Sequence, residues 1–176
     1  MNGRVCPVLT TARLTLGPHT AADYEDSLAM WSDPAVVRYL GGDPSPPQEV
    51  WARLLRYGGL WPLVGYGYWQ VRETATGRFV GEIGLAEFRR EITPSIIGVP
   101  EAGWSLMTWA HGQGFAREAT QAMLAWADEM LDRRTVCMID PANTPSLALA
   151  NKLGYRRYAD SRYKGRDTVL LERLAP

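Results

Sequence analysis

The apolar residues of this chain change their period at Tyr66, and that change constrains its fold more than any other feature. Before Tyr66 they recur at helical spacing. "HTAADYEDSLAMWSD" puts Tyr24, Leu28 and Trp31 on one face behind Thr20 as N-cap. "DPAVVRYL" opens a second, short helix on Pro34, and "PQEVWARLLRYG" keeps Val50, Leu54 and Tyr57 in step with Gly58 as its stop. From Tyr66 the segments read as strands. "YGYWQVRE" and "RFVGEIGLAEF", joined by "TATG", form a hairpin, and "EAGWSLMT" is a third strand.

An earlier strand lies in "TARLTLGP", and "RREITPSIIGVP" is a connection without a clear period. A helix follows "AHGQGFAREA", its stripe carried by Phe115, Ala119, Met123, Trp126 and Met130. "RTVCMI" is a strand. "TPSLALANKLG" is a helix capped by Thr144, with Pro145 first inside and Gly154 as stop. "YRRYADSRY" and "DTVLLERL" close the chain as a hairpin. There is no internal repeat and no low-complexity linker, so 176 residues make one mixed α/β domain, residues 1–176.

Composition narrows the function classes. Nineteen basic and nineteen acidic residues cancel, which argues against a nucleic-acid partner. Cys6 and Cys137 are too few for a disulfide framework, and no Cys/His cluster has metal-ligand spacing, so no metal is expected. Cys137 lies in an apolar stretch and reads as a buried free thiol. Met1 to Thr10 carries no leader pattern, and no run approaches the roughly 20 apolar residues of a membrane span. A cytoplasmic protein without a membrane partner is expected. Exposed strand edges and a tryptophan-rich N-terminal part are compatible with a homodimer.

The turn "AHGQGFAREA" sits between a strand and a helix, where free backbone N–H groups and the helix dipole favour an anion. Gly112 and Gly114 suit a backbone that must bend sharply and approach a phosphate closely. A P-loop needs a lysine that is not there. A dinucleotide fingerprint needs a third glycine where this chain has Arg117, and an acid for which only Asp132 or Asp140 offers itself; support is weak. Two readings stay open at this point: a coenzyme A pyrophosphate cradle, or a helix start with no ligand.

In their order and spacing, three stretches together resemble the GNAT acetyltransferase family, and more closely its ribosomal-protein N-terminal acetyltransferase (RimJ/RimL-like) branch. They are "TARLTL" with "WSDPAVVRYL"; "EAGWSLMTWAHGQGFAREA", similar to the family's [Q/R]-x-x-G-x-[G/A] loop; and "NTPSLALANKLGYRR". The resemblance covers nearly the whole chain. It implies a mixed, mainly antiparallel central sheet of about 6–7 strands, splayed between two parallel strands and flanked by helices. One departure is plain: His111 stands where the family usually has Gln or Arg. It is either a tolerated loop residue or a partial positive charge beside the phosphates.

The resemblance implies acetyl transfer from acetyl-CoA to a primary amine, on a small molecule or a protein N-terminus. Backbone N–H groups of Gln113, Gly114, Phe115 and Ala116 would hold the pyrophosphate, with Gly112 shaping the turn and His111 counted among the cofactor-binding residues. The strand Trp104, Ser105, Leu106 and Met107 would lie along the pantetheine and supply an oxyanion donor. Asn143 would bind the pantetheine, and Ser146 would serve the leaving thiolate, whose thiol has an ordinary pKa of about 8.5. Glu101 is the first candidate for the base and Glu82 the competitor; a salt-bridged carboxylate is the bland alternative for each. Trp31, Trp51, Trp61, Tyr66 and Tyr68 are candidate walls of the acceptor pocket. A noncatalytic acyl-CoA-binding protein on the same fold is the rival function.

Overall fold

The computed structural model describes residues 4–131 and 133–175. Asp132, one of the two acids weighed for a dinucleotide site, and the first three residues of the stretch inspected for a leader lie outside the described residues.

Thr20 begins the first helical segment, as expected. The Asp23 carboxylate accepts from the Thr20 N–H at 2.7 Å and the Thr20 hydroxyl at 2.9 Å, closing a short turn before α1 (Tyr24–Trp31). Pro34 opens α2 (Pro34–Val37), and the Asp33 side chain caps it by accepting from Ala35 N–H. The third helix, α3 (Pro47–Val64), does not stop at Gly58; it ends at Gly65, whose φ of 84° is the left-handed cap. Tertiary packing overrides the glycine. Trp61 continues the buried stripe and packs edge-on against Trp69 at 4.7 Å and Trp126 at 5.3 Å.

The strands are β1 (Leu9–Thr10), β2 (Leu14–Gly17), β3 (Tyr68–Glu73), β4 (Phe79–Ala86), β5 (Glu101–Leu106), β6 (Thr135–Ile139), β7 (Arg156–Tyr163) and β8 (Arg166–Arg173). Among the described residues they form one eight-stranded sheet, ordered β1-β2-β3-β4-β5-β6-β8-β7. The expected count was lower because β1, two residues long, is too short to show a period.

Every neighbouring pair is antiparallel except β5 and β6. Those two are parallel and share a single registered pair, Glu101 with Val136. Beyond that pair the strands diverge, and the sheet opens into a cleft.

Helix α4 (Phe115–Leu131) covers one face, burying Phe115, Ala119 and Met123 against Leu14, Leu16, Trp69 and Ile83. Each large apolar side chain so buried contributes about 1.5–3 kcal/mol before entropy is counted. Met130 leaves the stripe and is 43% exposed; Ala127 takes the inward position instead. Helix α5 (Thr144–Lys152) is capped by Asn143 rather than Thr144: the Asn143 Oδ1 accepts from Ser146 N–H at 3.2 Å. Pro145 sits in its first turn and Gly154, at φ 93°, follows its end, both as read from the sequence.

Candidate active site

The cleft follows from how β5 spends its backbone. The Pro100 carbonyl accepts from Val136 N–H at 3.0 Å, and Glu101 with Val136 is the one registered pair between β5 and β6 among the described residues. Backbone groups alternate along a strand, so Ala102, Trp104 and Leu106 present theirs on that same open side. By the same alternation Ser105 and Gly103, opposite Glu82 and Gly84, turn their backbone groups to β4. Met107 is also spent, its N–H donating to Val80 at 2.9 Å. Of the four residues expected along the pantetheine, Trp104 and Leu106 therefore turn their N–H groups to the open side.

His111 closes the end of this edge. Its Nε2 lies 3.0 Å from the Leu106 carbonyl, which can only accept, so Nε2 carries the hydrogen. The ring is turned back onto β5, and the residue works as a fastener between strand and turn. Gly112 and Gly114 then adopt φ of 73° and 80°, in the left-handed region. The backbone N–H groups of Gln113, Gly114, Phe115 and Ala116 find no acceptor among the described residues. They gather at the start of α4, where the helix dipole adds positive potential.

Two residues that the sequence did not single out hold this turn in place. Arg13 reaches Glu118 through Nε and Nη2, both at 2.7 Å, and its Nη1 donates to the Gln113 carbonyl at 3.1 Å. Its guanidinium lies over the Phe115 ring at 4.5 Å. Glu118 also accepts from the Thr11 hydroxyl at 2.6 Å and the Arg13 N–H at 2.9 Å. Burial raises the Glu118 pKa, but the Thr11 and Arg13 hydrogen bonds outweigh it and leave the carboxyl below the ordinary range. No local pattern could have shown this brace, because its partners are over a hundred positions apart.

Across the cleft, the Trp104 indole N–H donates to Ser146 Oγ at 3.2 Å. An indole only donates, so Ser146 accepts here and keeps its own proton available. Ser146 and Asn143 line the same cleft as Trp104.

The two carboxylate candidates part company. Glu82 is fully buried and does not line the cleft. Its oxygens accept from Ser27 Oγ at 2.7 Å and Trp31 Nε1 at 2.9 Å, tying β4 to α1. Glu101 lines the cleft, held by the Arg90 fork with Nε at 2.6 Å and Nη2 at 2.8 Å.

The cleft encloses about 770 Å³ and runs from Asn143 and Ser146 past Trp104 and Glu101 to α3. Of the aromatic walls expected, Trp31 and Tyr68 line it; Trp61 and Tyr66 are core, and Trp51 is exposed on α3. Tyr68 stacks on Tyr57 at 4.2 Å, and its hydroxyl fits against Gly103, where an added Cβ would lie 2.1 Å away. Burial pushes both tyrosine hydroxyls up, so each stays neutral and able to donate near pH 7. Cys137, also at the cleft, is a buried free thiol kept protonated by burial and by the nearby Glu101 charge. Among the described residues no group of acidic, His and Cys side chains could hold a metal ion, and no helix is long and apolar enough to cross a membrane.

A splayed sheet with an open strand edge, joined to a helix start whose first N–H groups are free, is the frame of the site. The acetyltransferase (GNAT) domain family matches residues 13–156, and the chain belongs to that family. It is 27% identical over 151 residues to an uncharacterised N-acetyltransferase, p20, of Bacillus licheniformis, covering 85% of this chain and 82% of that one. A GNAT-family acetyltransferase structure from Bordetella pertussis superposes with a TM-score of 0.84 at 34% identity, over 95% of this chain and 99% of that one. RimL, a ribosomal L7/L12 alpha-N-protein acetyltransferase solved with coenzyme A, shares the fold: TM-score 0.75, 13% identity, 96% and 98% covered.

Proposed function

We propose that this chain transfers the acetyl group of acetyl-CoA directly to a primary amine. The observation that carries the reading is the fork between β5 and β6, bridged by the Trp104–Ser146 hydrogen bond. The four free N–H groups before and within the first turn of α4 fit a pyrophosphate, and the open edge at Trp104 fits the amide-bearing pantetheine arm. Asn143 spends only its oxygen in capping α5, so its side-chain N–H groups remain for that arm.

Acetyl-CoA supplies an activated carbonyl. The amine lone pair attacks it, a C–N bond forms, and the C–S bond breaks with its electron pair going to sulfur. The Trp104 N–H donates to the carbonyl oxygen as negative charge develops there. The Ser146 hydroxyl, already accepting from Trp104, donates to the departing sulfur. The proton lost by the amine passes through water to Glu101, whose Arg90 fork fixes both oxygens and leaves each a further lone pair. A protein N-terminal amine, with pKa of about 7.7–8, asks little of such a base; a lysine amine near 10.4 asks more.

A thermal-shift screen followed by thiol release tests the reading. Stabilisation by acetyl-CoA and coenzyme A but not by NAD is expected, and then thiol release with at least one of a panel of amines. Tight cofactor binding with no turnover on any amine would sustain the rival, a noncatalytic acyl-CoA-binding protein.

A further inference from the structure

The α3 side of the cleft carries cations that the proposed transfer does not use. Arg53 and Arg56, three residues apart on α3, both line it. The Arg53 guanidinium carbon lies 3.6 Å from the centre of the Trp31 ring, and its Nε is buried without a hydrogen-bond partner. Arg56 lies over Phe88 at 5.1 Å and near Tyr57 at 6.0 Å.

Neither has a carboxylate within ion-pair distance among the described residues. The other two arginines of the cleft are neutralised, Arg90 by Glu101 and Arg166 by Asp140. The acids near α3, Glu49 and Glu87 at the cleft among them, form no ion pair with either. Glu82 is shielded by Trp31, whose indole N–H donates to it while the ring face carries Arg53. Glu87 accepts the backbone N–H groups of Gly98 and Arg89. Glu49, one turn before Arg53, makes no ion pair with either arginine.

A guanidinium stacked on an aromatic face keeps its planar N–H edges for hydrogen bonding, and such an edge takes a carboxylate in two parallel hydrogen bonds. Continuity with the reaction centre is short: Arg53 sits beside Tyr57, Tyr57 stacks on Tyr68, and Tyr68 touches Gly103 next to Trp104.

We infer that the acceptor is an amine that also bears a carboxylate, and that Arg53, with Arg56, binds that carboxylate and sets specificity. This rests on the acetyl-transfer reading. The two arginines without ion-pair partners offer a carboxylate a charge-assisted pair that polyamines and neutral amines cannot make. An amino acid's own carboxylate and the acidic side chain next to a peptide's N-terminus offer the same chemistry, and the two are separable by assay.

The test compares matched acceptors by thiol release: L-phenylalanine with phenethylamine, L-leucine with isopentylamine, the peptide amide Ser-Asp with Ser-Asn, and spermine. In parallel, calorimetry measures binding of the same compounds to the enzyme saturated with coenzyme A, which needs no turnover. The carboxylate member of at least one pair should lead by about tenfold or more in kcat/KM and in affinity, the range for a charged hydrogen-bonded pair. Arg53→Gln should abolish the lead through KM, Arg53→Lys should keep only part of it, and Arg56→Gln, at an exposed position that tolerates change, should diminish it.

Preference confined to the free amino acids assigns the α-carboxylate, and preference confined to Ser-Asp assigns an acidic peptide. Turnover with no carboxylate preference, preference for spermine, or a lead unchanged in all three variants overturns the inference while acetyl transfer stands. Carboxylate-selective binding without turnover on any amine sustains the anion site and removes the transfer reading. Absence of both binding preference and turnover overturns the two together.

Discussion

Replacing Trp104 by Phe removes one N–H and little else, and so isolates the step at the leaving sulfur. The ring still packs at the cleft, but Ser146 loses the donor 3.2 Å away that fixes which way its hydroxyl points. Deleting Ser146 itself, as Ala, takes away a hydrogen bond to a developing charge, worth about 1.5–3 kcal/mol or about 10–150-fold in kcat. Deleting only its orienting partner leaves the donor present but free to rotate. That costs about one neutral hydrogen bond, 1 kcal/mol, or about fivefold.

The two effects run through the same atom, so they should not add. In the Ser146→Ala background, Trp104→Phe should change kcat by less than about twofold. The assay is initial thiol release at saturating acetyl-CoA with an amine that turns over, for wild type, both single variants and the double variant. Equal effects of Trp104→Phe with and without Ser146, or a Ser146→Ala rate within about twofold of wild type, would refute the reasoning.

Three further outcomes follow from the same geometry. His111→Ala should lose the bond to the Leu106 carbonyl, about 1 kcal/mol, lowering Tm by about 2–4 °C with the acetyl-CoA KM within about threefold; a large KM rise at unchanged Tm would place the imidazole on the ligand instead. Gly103→Ala forces the Tyr68 hydroxyl off its seat, because the new Cβ would lie 2.1 Å from it; overpacking of this kind costs about 1–3 kcal/mol, and an unshifted melting curve refutes the contact. Glu118 has a folded pKa below its unfolded one, so its contribution is full above the unfolded value and fades as pH falls through the folded one. The stability gap between wild type and Glu118→Gln should therefore narrow below about pH 4; a gap constant from pH 7 to pH 3 by urea titration would show that the carboxylate charge is not what holds the brace.

How much of this could be read from residues alone depended on how local each signal was. Most strands and helices were legible because their periods are long enough to count. The sequence lost α3 at Gly58, where distant contacts by Trp61 outvote a local breaker, and misplaced the α5 cap by one residue, where Asn143 and Thr144 are both good caps. The glycine turn and the "NTPS" segment were legible for the opposite reason: their chemistry is written in consecutive residues. Glu82 and Glu101 looked alike as acids on neighbouring strands, and only tertiary structure separates one under α1 from one at the cleft. Arg13, Glu118, Arg53 and Arg90 carry no pattern of their own and acquire meaning only from what the sheet sets beside them.

The Arg13–Glu118 brace has a consequence for assembly. During synthesis, residues 11–13 leave the ribosome first and wait while about a hundred more are added before Glu118 exists to receive them. The glycine turn is thus a long-range closure, finished only when residues 11–13 dock against α4. Affinity for acetyl-CoA would then report on completed folding: a chain frayed at its first strand would keep most of its sheet yet present a slack, unguarded turn.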